Sequence, residues 1–241
     1  MSRVIRSFYH GAFSRVGEEL RLASTESHHL ANVLRRSDGD SIELLNGRGA
    51  RAEAKCFILH EKDFGFRITK ILQEEKKEPQ IRMVLSITKG GKWEEQIKPL
   101  TELGVSRITP IFTDHTESKE RRVCFDKKLE KWKKLAIEAC KQSGNPWLPQ
   151  IDQPLFFDKY LEACSGNIWV AGLAKDLNCL QMKASAKEVN ILIGPEGGWS
   201  EREEKVLQTR DAKFFTLGRY TLRAETASLC ALAVARSQFL G

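Results

Sequence analysis

Residues 191–207 read ILIGPEGGWSEREEKVL: a short apolar run, a glycine-rich turn, then a polar stretch with helical spacing. Gly194, Gly197 and Gly198 permit backbone angles closed to other residues and let a ligand approach the main chain, while Pro195 stiffens the turn. Ser200, with Glu203 three residues on, forms a capping-box pair, so a helix is expected to start there. Strand, turn and helix in that order are the repeating unit of a parallel α/β sheet. A phosphate-cradling loop needs a lysine followed by a hydroxyl after its last glycine. This turn has neither, and it carries a carboxylate, Glu196, in its middle. The dinucleotide pattern G-x-G-x-x-G is also absent, so no nucleoside triphosphate or dinucleotide is expected here. On this turn alone, a ligand-contacting loop and a well-capped corner are equal readings.

A second corner alters that balance. Residues 214–234, FFTLGRYTLRAETASLCALAV, repeat the design with a strand, Leu217-Gly218, a polar loop and an apolar helix opening near Glu225-Thr226. Two strands ending in glycine loops build a crevice at the carboxyl edge of a sheet, where open α/β folds bind ligands. Arg223 and Glu225 are candidates for polar work in that crevice; the competing reading is a surface ion pair and a helix N-terminal acid.

Outward from these corners, IRMVLSIT, ITPIFT, NIWVAGL and VNILIG read as strands. WEEQIKPLTELGV reads as a helix ending at Gly104 and kinked by Pro99, and CFDKKLEKWKKLAIEACKQS as a long helix. The first seventy-odd residues differ. EELRLAS, DSIELLNG, ARAEAKCFIL and FGFRITKIL are short alternating strands separated by turn residues, with one helical stretch, ESHHLANVLRR. The expected organisation is a small β-barrel domain over 1–73, a charged linker over 74–80 and an α/β domain over 81–241.

Lys and Arg outnumber Asp and Glu by 39 to 32, a net charge of +7 that favours a polyanionic partner without identifying one. The six cysteines are scattered without a C-x-x-C pair or zinc-type spacing, so neither a disulfide framework nor a metal site is expected. MSRVIRSFYHGAF lacks the apolar core of a signal peptide, and no apolar run approaches bilayer length. A cytoplasmic chain with no membrane partner is the expectation.

IGPEGGWS followed by LGRYTLRAETA resembles the paired C-terminal motifs of the RsmE family, the 16S ribosomal RNA uridine-N3 methyltransferases of the SPOUT (α/β-knot) superfamily. HHLANVLRRSDGDSIELLNGRG resembles that family's PUA-like RNA-binding barrel, and TELGVSRITPIF and KWKKLAIEACKQSGN resemble its central segments. The resemblance implies a SPOUT trefoil-knot domain with a parallel sheet, preceded by a PUA-like β-barrel. It implies S-adenosyl-L-methionine as cofactor, the 16S rRNA of the small ribosomal subunit as substrate, and a homodimer. Carried onto this chain, the cofactor is expected against Leu192, Ile193, Gly194, Pro195, Glu196, Gly197 and Gly198 of the first corner. From the second corner, Leu217, Gly218, Leu222, Arg223, Ala224, Thr226 and Ala227 are expected to complete the pocket. A cationic sulfonium tolerates Glu196 or Glu225 better than a triphosphate would.

Methylation at N3 must dispose of the proton on that nitrogen, either to a base or through stabilisation of the uridine anion. Arg223 as stabiliser and Glu225 as orienting acceptor or base are the candidate catalytic residues; no histidine neighbours either motif, so a histidine base from this region is excluded. Lys89 is a candidate basic group from elsewhere. Arg35, Arg36, Arg48 and Arg51 are candidate RNA contacts on the barrel, and Gln142 one in the α/β domain; the basic stretch KERRVCFDKKLEKWKKL, 119–135, reads rather as a solvated helix face than as an RNA contact. Two positions depart from the family pattern: Pro99 and Asn145 stand where basic residues are usual. The same chemistry on another RNA, or a non-catalytic RNA-binding protein, remain alternative readings.

Overall fold

The alternation in SIELL, ARAEAKCFILH and DFGFRITKILQ puts Ile42, Leu44, Ala52, Ala54, Cys56, Phe66 and Ile68 on one face, and all seven are buried. A computed structural model describes residues 4–21, 37–60, 63–88, 92–117, 124–172 and 187–238 of the chain. The helix expected over 26–36 lies outside these, as do Arg35, Arg36 and Lys89. The chain forms two units, Met1–Lys76 with Ile137–Leu148, and Lys77–Ala136 with Pro149–Gly241.

In the first unit, β1 (Arg6–Phe8), β2 (Glu19–Arg21), β3 (Ser41–Leu45), β4 (Ala50–His60) and β5 (Asp63–Gln73) form a curled sheet in the order β1-β3-β4-β5-β2. β1 runs parallel to β3 and the other pairs are antiparallel. A bulge shifts the β4–β5 register between Glu53 and Ala54, where Thr69 is the extra residue and its hydroxyl bonds the Glu53 carbonyl at 3.0 Å. The bulge reverses the phase of β5, so Ile71 rather than Lys70 reaches the core. The turn after β3 is held by Asn46, whose buried side-chain oxygen accepts the Arg48 and Ala50 N–H groups. Residues 137–148 belong to this unit through a small cluster of Cys140, Ile137 and Leu148 with Phe8 and Leu45. The Leu148 N–H also bonds the Gly47 carbonyl at 3.0 Å.

The second unit contains β6 (Gln80–Ser86), α1 (Lys92–Glu95), α2 (Ile97–Glu102), β7 (Arg107–Phe112), α3 (Asp126–Ser143, shared with the first unit), β8 (Gln150–Ile151) and β9 (Leu155–Phe156). It continues with α4 (Phe157–Ala163), β10 (Asn167–Ala171), β11 (Glu188–Ile193), α5 (Glu201–Thr209), β12 (Lys213–Phe215) and α6 (Ala224–Ser237). Its strands are all parallel, in the order β12-β10-β11-β6-β7-β8, with β9 also on β7. Burial on both faces explains why β7 and β11 are apolar almost throughout, as parallel strands require. A parallel α/β unit, preceded in the chain by a curled and mostly antiparallel sheet, is thus the fold class.

Two prolines mark this unit. The single helix expected over 93–104 is broken at Gln96 into α1 and α2. Pro99 offers no N–H to the Glu95 carbonyl, four residues back, and its ring crowds that oxygen, so the break falls one turn before the proline. Gly104, at φ +76°, then ends α2 as expected. Pro110 lies inside β7. The Ile108 carbonyl accepts from Asp152 while the Ile111 carbonyl accepts from Ile87, so residue 110 faces the β8/β9 edge. There the partner strand is interrupted between Ile151 and Leu155, and no donor is missed.

α6 packs on β6, β11, α1 and α2 through a face of small residues, Ala224, Ala227, Ser228, Ala231 and Ala235, with Leu232. The Ser228 hydroxyl donates to the Gln96 side-chain oxygen at 2.7 Å, giving the buried polar residue at the helix break a partner. Among the described residues no helix is long and apolar enough to cross a membrane, and no His, Cys, Asp and Glu cluster could hold a metal.

Burial pushes the Cys140 thiol up to about 12, so at pH 8 it stays protonated and inert, whereas Cys124 is exposed. Alkylation of the native protein at pH 8, read by peptide mass mapping, is expected to label Cys124 and to spare Cys140 until the protein is unfolded.

Candidate functional site

The glycine turn begins where β11 ends. The Gly198 N–H closes it on the Pro195 carbonyl at 2.9 Å, and Gly198 takes φ +73°, a left-handed conformation costly for any residue with a Cβ. At Gly194 the need is spatial: a Cβ there would stand 3.0–3.1 Å from the Trp199 indole. Ser200 caps α5 with the full capping box. Its hydroxyl accepts the Glu203 N–H at 3.1 Å, and the Glu203 carboxylate accepts the Ser200 N–H at 3.0 Å. The other Glu203 oxygen accepts the Asp114 N–H at 2.9 Å, so one carboxylate with no solvent exposure joins α5 to the loop after β7. Asp114 completes the joint by accepting from the Ser200 hydroxyl and, through both oxygens, from Arg202, which also bonds Asp158.

His115 follows in the same loop, with Nδ1 2.9 Å from the Gly198 carbonyl oxygen. A carbonyl can only accept, so Nδ1 carries the proton. No histidine neighbours the turn in sequence, yet the fold brings His115 against it from the distant loop after β7.

The second corner follows β12. The Thr216 hydroxyl donates to the Gly218 carbonyl at 2.9 Å and accepts its N–H at 3.3 Å. Gly218 takes φ +148°, with open space where a Cβ would stand. Arg223, extended at φ −64° and ψ 153°, is the N-cap of α6, and its carbonyl accepts the Ala227 N–H.

Between the corners lies a cavity of about 210 Å³ at the carboxyl ends of β10, β11 and β12. Ten of the residues expected around a cofactor line it: Ile193, Gly194, Pro195, Glu196, Gly198, Leu217, Gly218, Leu222, Ala224 and Ala227. Others do not. Strand alternation sends the Leu192 side chain into the core with Val84, Ile111 and Phe157, away from the cavity. Gly197 faces His115 from the outer side of the turn. Arg223, Glu225 and Thr226 sit in and before the first turn of α6 but outside the cavity wall, and no ion pair joins Arg223 to Glu225. Sequence reasoning missed Ala171 and Gly172 at the end of β10, Trp199 and Glu204 beside the first corner, and Thr216, Tyr220 and Thr221 in the second. Trp199 and Tyr220 stand inside the quoted motifs, where an aromatic next to glycines was the available signal.

The cavity suits a ligand that is largely apolar with a polar edge. Its walls carry Leu217, Leu222 and Ala227, its corners expose main chain, and the buried Trp199 Nε1 has no hydrogen-bond partner among the described residues. Glu196 and Glu204 add negative charge, which favours a cationic group over an anionic one.

Of the candidate RNA contacts, Arg48 is exposed and donates to the His10 carbonyl at 3.2 Å. Arg51 is engaged by two carboxylates, Glu74 at 2.5 Å and Glu43 at 3.7 Å, so it bonds within its own unit rather than standing free for phosphate. Gln142 is exposed near the end of α3. Arg35, Arg36 and Lys89 are outside the described residues.

The profile of an RNA methyltransferase domain matches residues 74–236, and that of an RNA methyltransferase PUA domain matches residues 22–62. The chain is 32% identical to ribosomal RNA small subunit methyltransferase E of Synechocystis over 88% of this chain and 71% of that one. It is 26% identical to the protein of that name from Buchnera aphidicola of Schizaphis graminum, over 99% and 98%. A Legionella pneumophila protein solved with the cofactor SAM superposes with a TM-score of 0.86 at 28% identity, covering 98% of each chain.

Replacing Glu203 with Ala removes the acceptor of two N–H groups and half of the capping box. It is expected to destabilise the second unit by about 1–3 kcal/mol, measured as a lowered midpoint of urea denaturation.

Proposed function

Because the chain belongs to the RNA methyltransferase family that includes ribosomal RNA small subunit methyltransferase E, we propose that it transfers the methyl group of S-adenosylmethionine to N3 of a uridine in 16S ribosomal RNA. The observation that carries this reading is the convergence of the two glycine corners on one cavity at the carboxyl edge of the sheet. The bound cofactor would supply an electrophilic methyl on a sulfonium. The chain's own residues would enclose it: Leu217, Leu222 and Ala227 against its apolar surface, exposed main chain at Gly194 and Gly218 along its polar edges, and Glu196 and Glu204 opposite its positive charge.

As the methyl forms a bond to N3, the proton on that nitrogen must leave. Arg223 is assigned to stabilise the developing uridine anion and Glu225 to orient or accept that proton, both from the N-terminal end of α6 beside the cavity. The PUA-like unit, with Arg35, Arg36 and Arg48, is assigned to hold the RNA, and residues 74–80 to act as the linker to the methyltransferase unit. The small ribosomal subunit is the partner, and the cytoplasm the place of work. A homodimer completes the proposal. Its support is the outward face of α6, where Thr226, Cys230, Ala233, Val234 and Ser237 carry no charge.

Unmodified small subunits incubated with protein and cofactor are expected to gain one methyl group on a 16S uridine, located by mass mapping of the RNA. Arg223→Ala is expected to lower turnover at least tenfold with cofactor affinity retained, by calorimetry; full turnover would remove Arg223 from the mechanism. Sedimentation is expected to give a dimer in which Cys230 resists alkylation; a monomer with a freely labelled Cys230 would exclude it.

A further inference from the structure

Tyr220 has two properties that rarely coincide: it lines the cavity between the glycine corners, yet it is 75% exposed. Its ring is therefore at the mouth of the site. The loop that carries it is anchored at its base rather than by burial of the ring. Thr216 bonds both polar groups of the Gly218 backbone, and Gly218 takes a conformation open chiefly to glycine. The Arg219 guanidinium lies over the ring at 6.0 Å from its centroid. Neither Arg219 nor Arg223 forms an ion pair among the described residues, so an aromatic ring stands beside two cations at this corner.

A base that is to be methylated at a ring nitrogen must leave its stack, and unstacked bases are commonly received on an aromatic face. We propose that Tyr220 is the platform on which the target base of the RNA stacks beside the cofactor cavity, with Arg219 meeting the phosphate of the same nucleotide. This rests on the methyltransferase reading above and adds the residue that receives its substrate. The adenine ring of the cofactor is the less fitting occupant, since a ring so open to solvent encloses nothing, while Leu217, Leu222 and Ala227 form walls.

The test compares wild type, Tyr220→Phe and Tyr220→Ala in methyl transfer to unmodified small subunits, with cofactor affinity by calorimetry and oligomeric state by sedimentation. Tyr220→Ala is expected to lose about tenfold or more in kcat/KM for the RNA, with cofactor affinity and oligomeric state unchanged. Tyr220→Phe, which keeps the ring, is expected to stay within about threefold of wild type. An active wild type with an equally active Ala variant overturns the platform alone. So does a loss of cofactor affinity, which would assign the ring to the cofactor, or a changed oligomeric state, which would assign it to a contact between copies. A wild type that transfers no methyl overturns the proposed function, and the platform with it.

Discussion

The Glu203 carboxylate is the joint on which the site depends. It is wholly buried, and it accepts one N–H from the first residue of its own helix cap and another from the loop after β7. Removing a carboxylate from water is costly unless its lone pairs are used, and here both oxygens are. The cost of separating these partners keeps the glycine turn and the Asp114–His115 loop in one arrangement. Asp114 strengthens the joint from the other side by gathering Ser200 and Arg202. The turn itself has few side chains with which to hold its shape, so its geometry is imposed by neighbours.

Strand order then converts two local corners into one site. β11 lies between β10 and β6, and β12 lies on the far side of β10. The carboxyl ends of β10, β11 and β12 are consequently neighbours, and the glycine loops that leave β11 and β12 face a common space. Behind that space α6 uses alanines and a serine where it meets the sheet, and small side chains let the helix axis come close. The same helix opens at Arg223, so the packing that seats α6 also sets where its first polar residues emerge.

Much of this was legible because it is local. The capping box follows from Ser200 and Glu203, the end of α2 from Gly104, and a disturbance of the helix from Pro99, each through bonds to residues a few positions away, although the kink expected at Pro99 is a break at Gln96. The alternation in β3, β4 and β5 named the first unit's core. What stayed hidden depends on distance in the chain. No pattern near Gly198 announces His115 or Asp114, and none announces that Ile137–Leu148 packs with the first unit. Strand order is equally silent in linear form, because β11 pairs with its sequence neighbour β10 on one side but with the far-removed β6 on the other. Leu192 shows a subtler limit. The motif marks the strand end correctly, but one residue's difference in register sends a side chain into the core or toward the cavity.

Pro110 has a consequence beyond its own strand. By splitting the partner of β7 into β8 and β9, each of two residues, it leaves no continuous row of backbone donors and acceptors on that side. At the opposite border β12 spans three residues. A foreign strand could find only a few hydrogen bonds at either border before the template ran out. The sheet is thereby protected from recruiting unfolded chains, a safeguard for a protein whose central strands are apolar enough to aggregate.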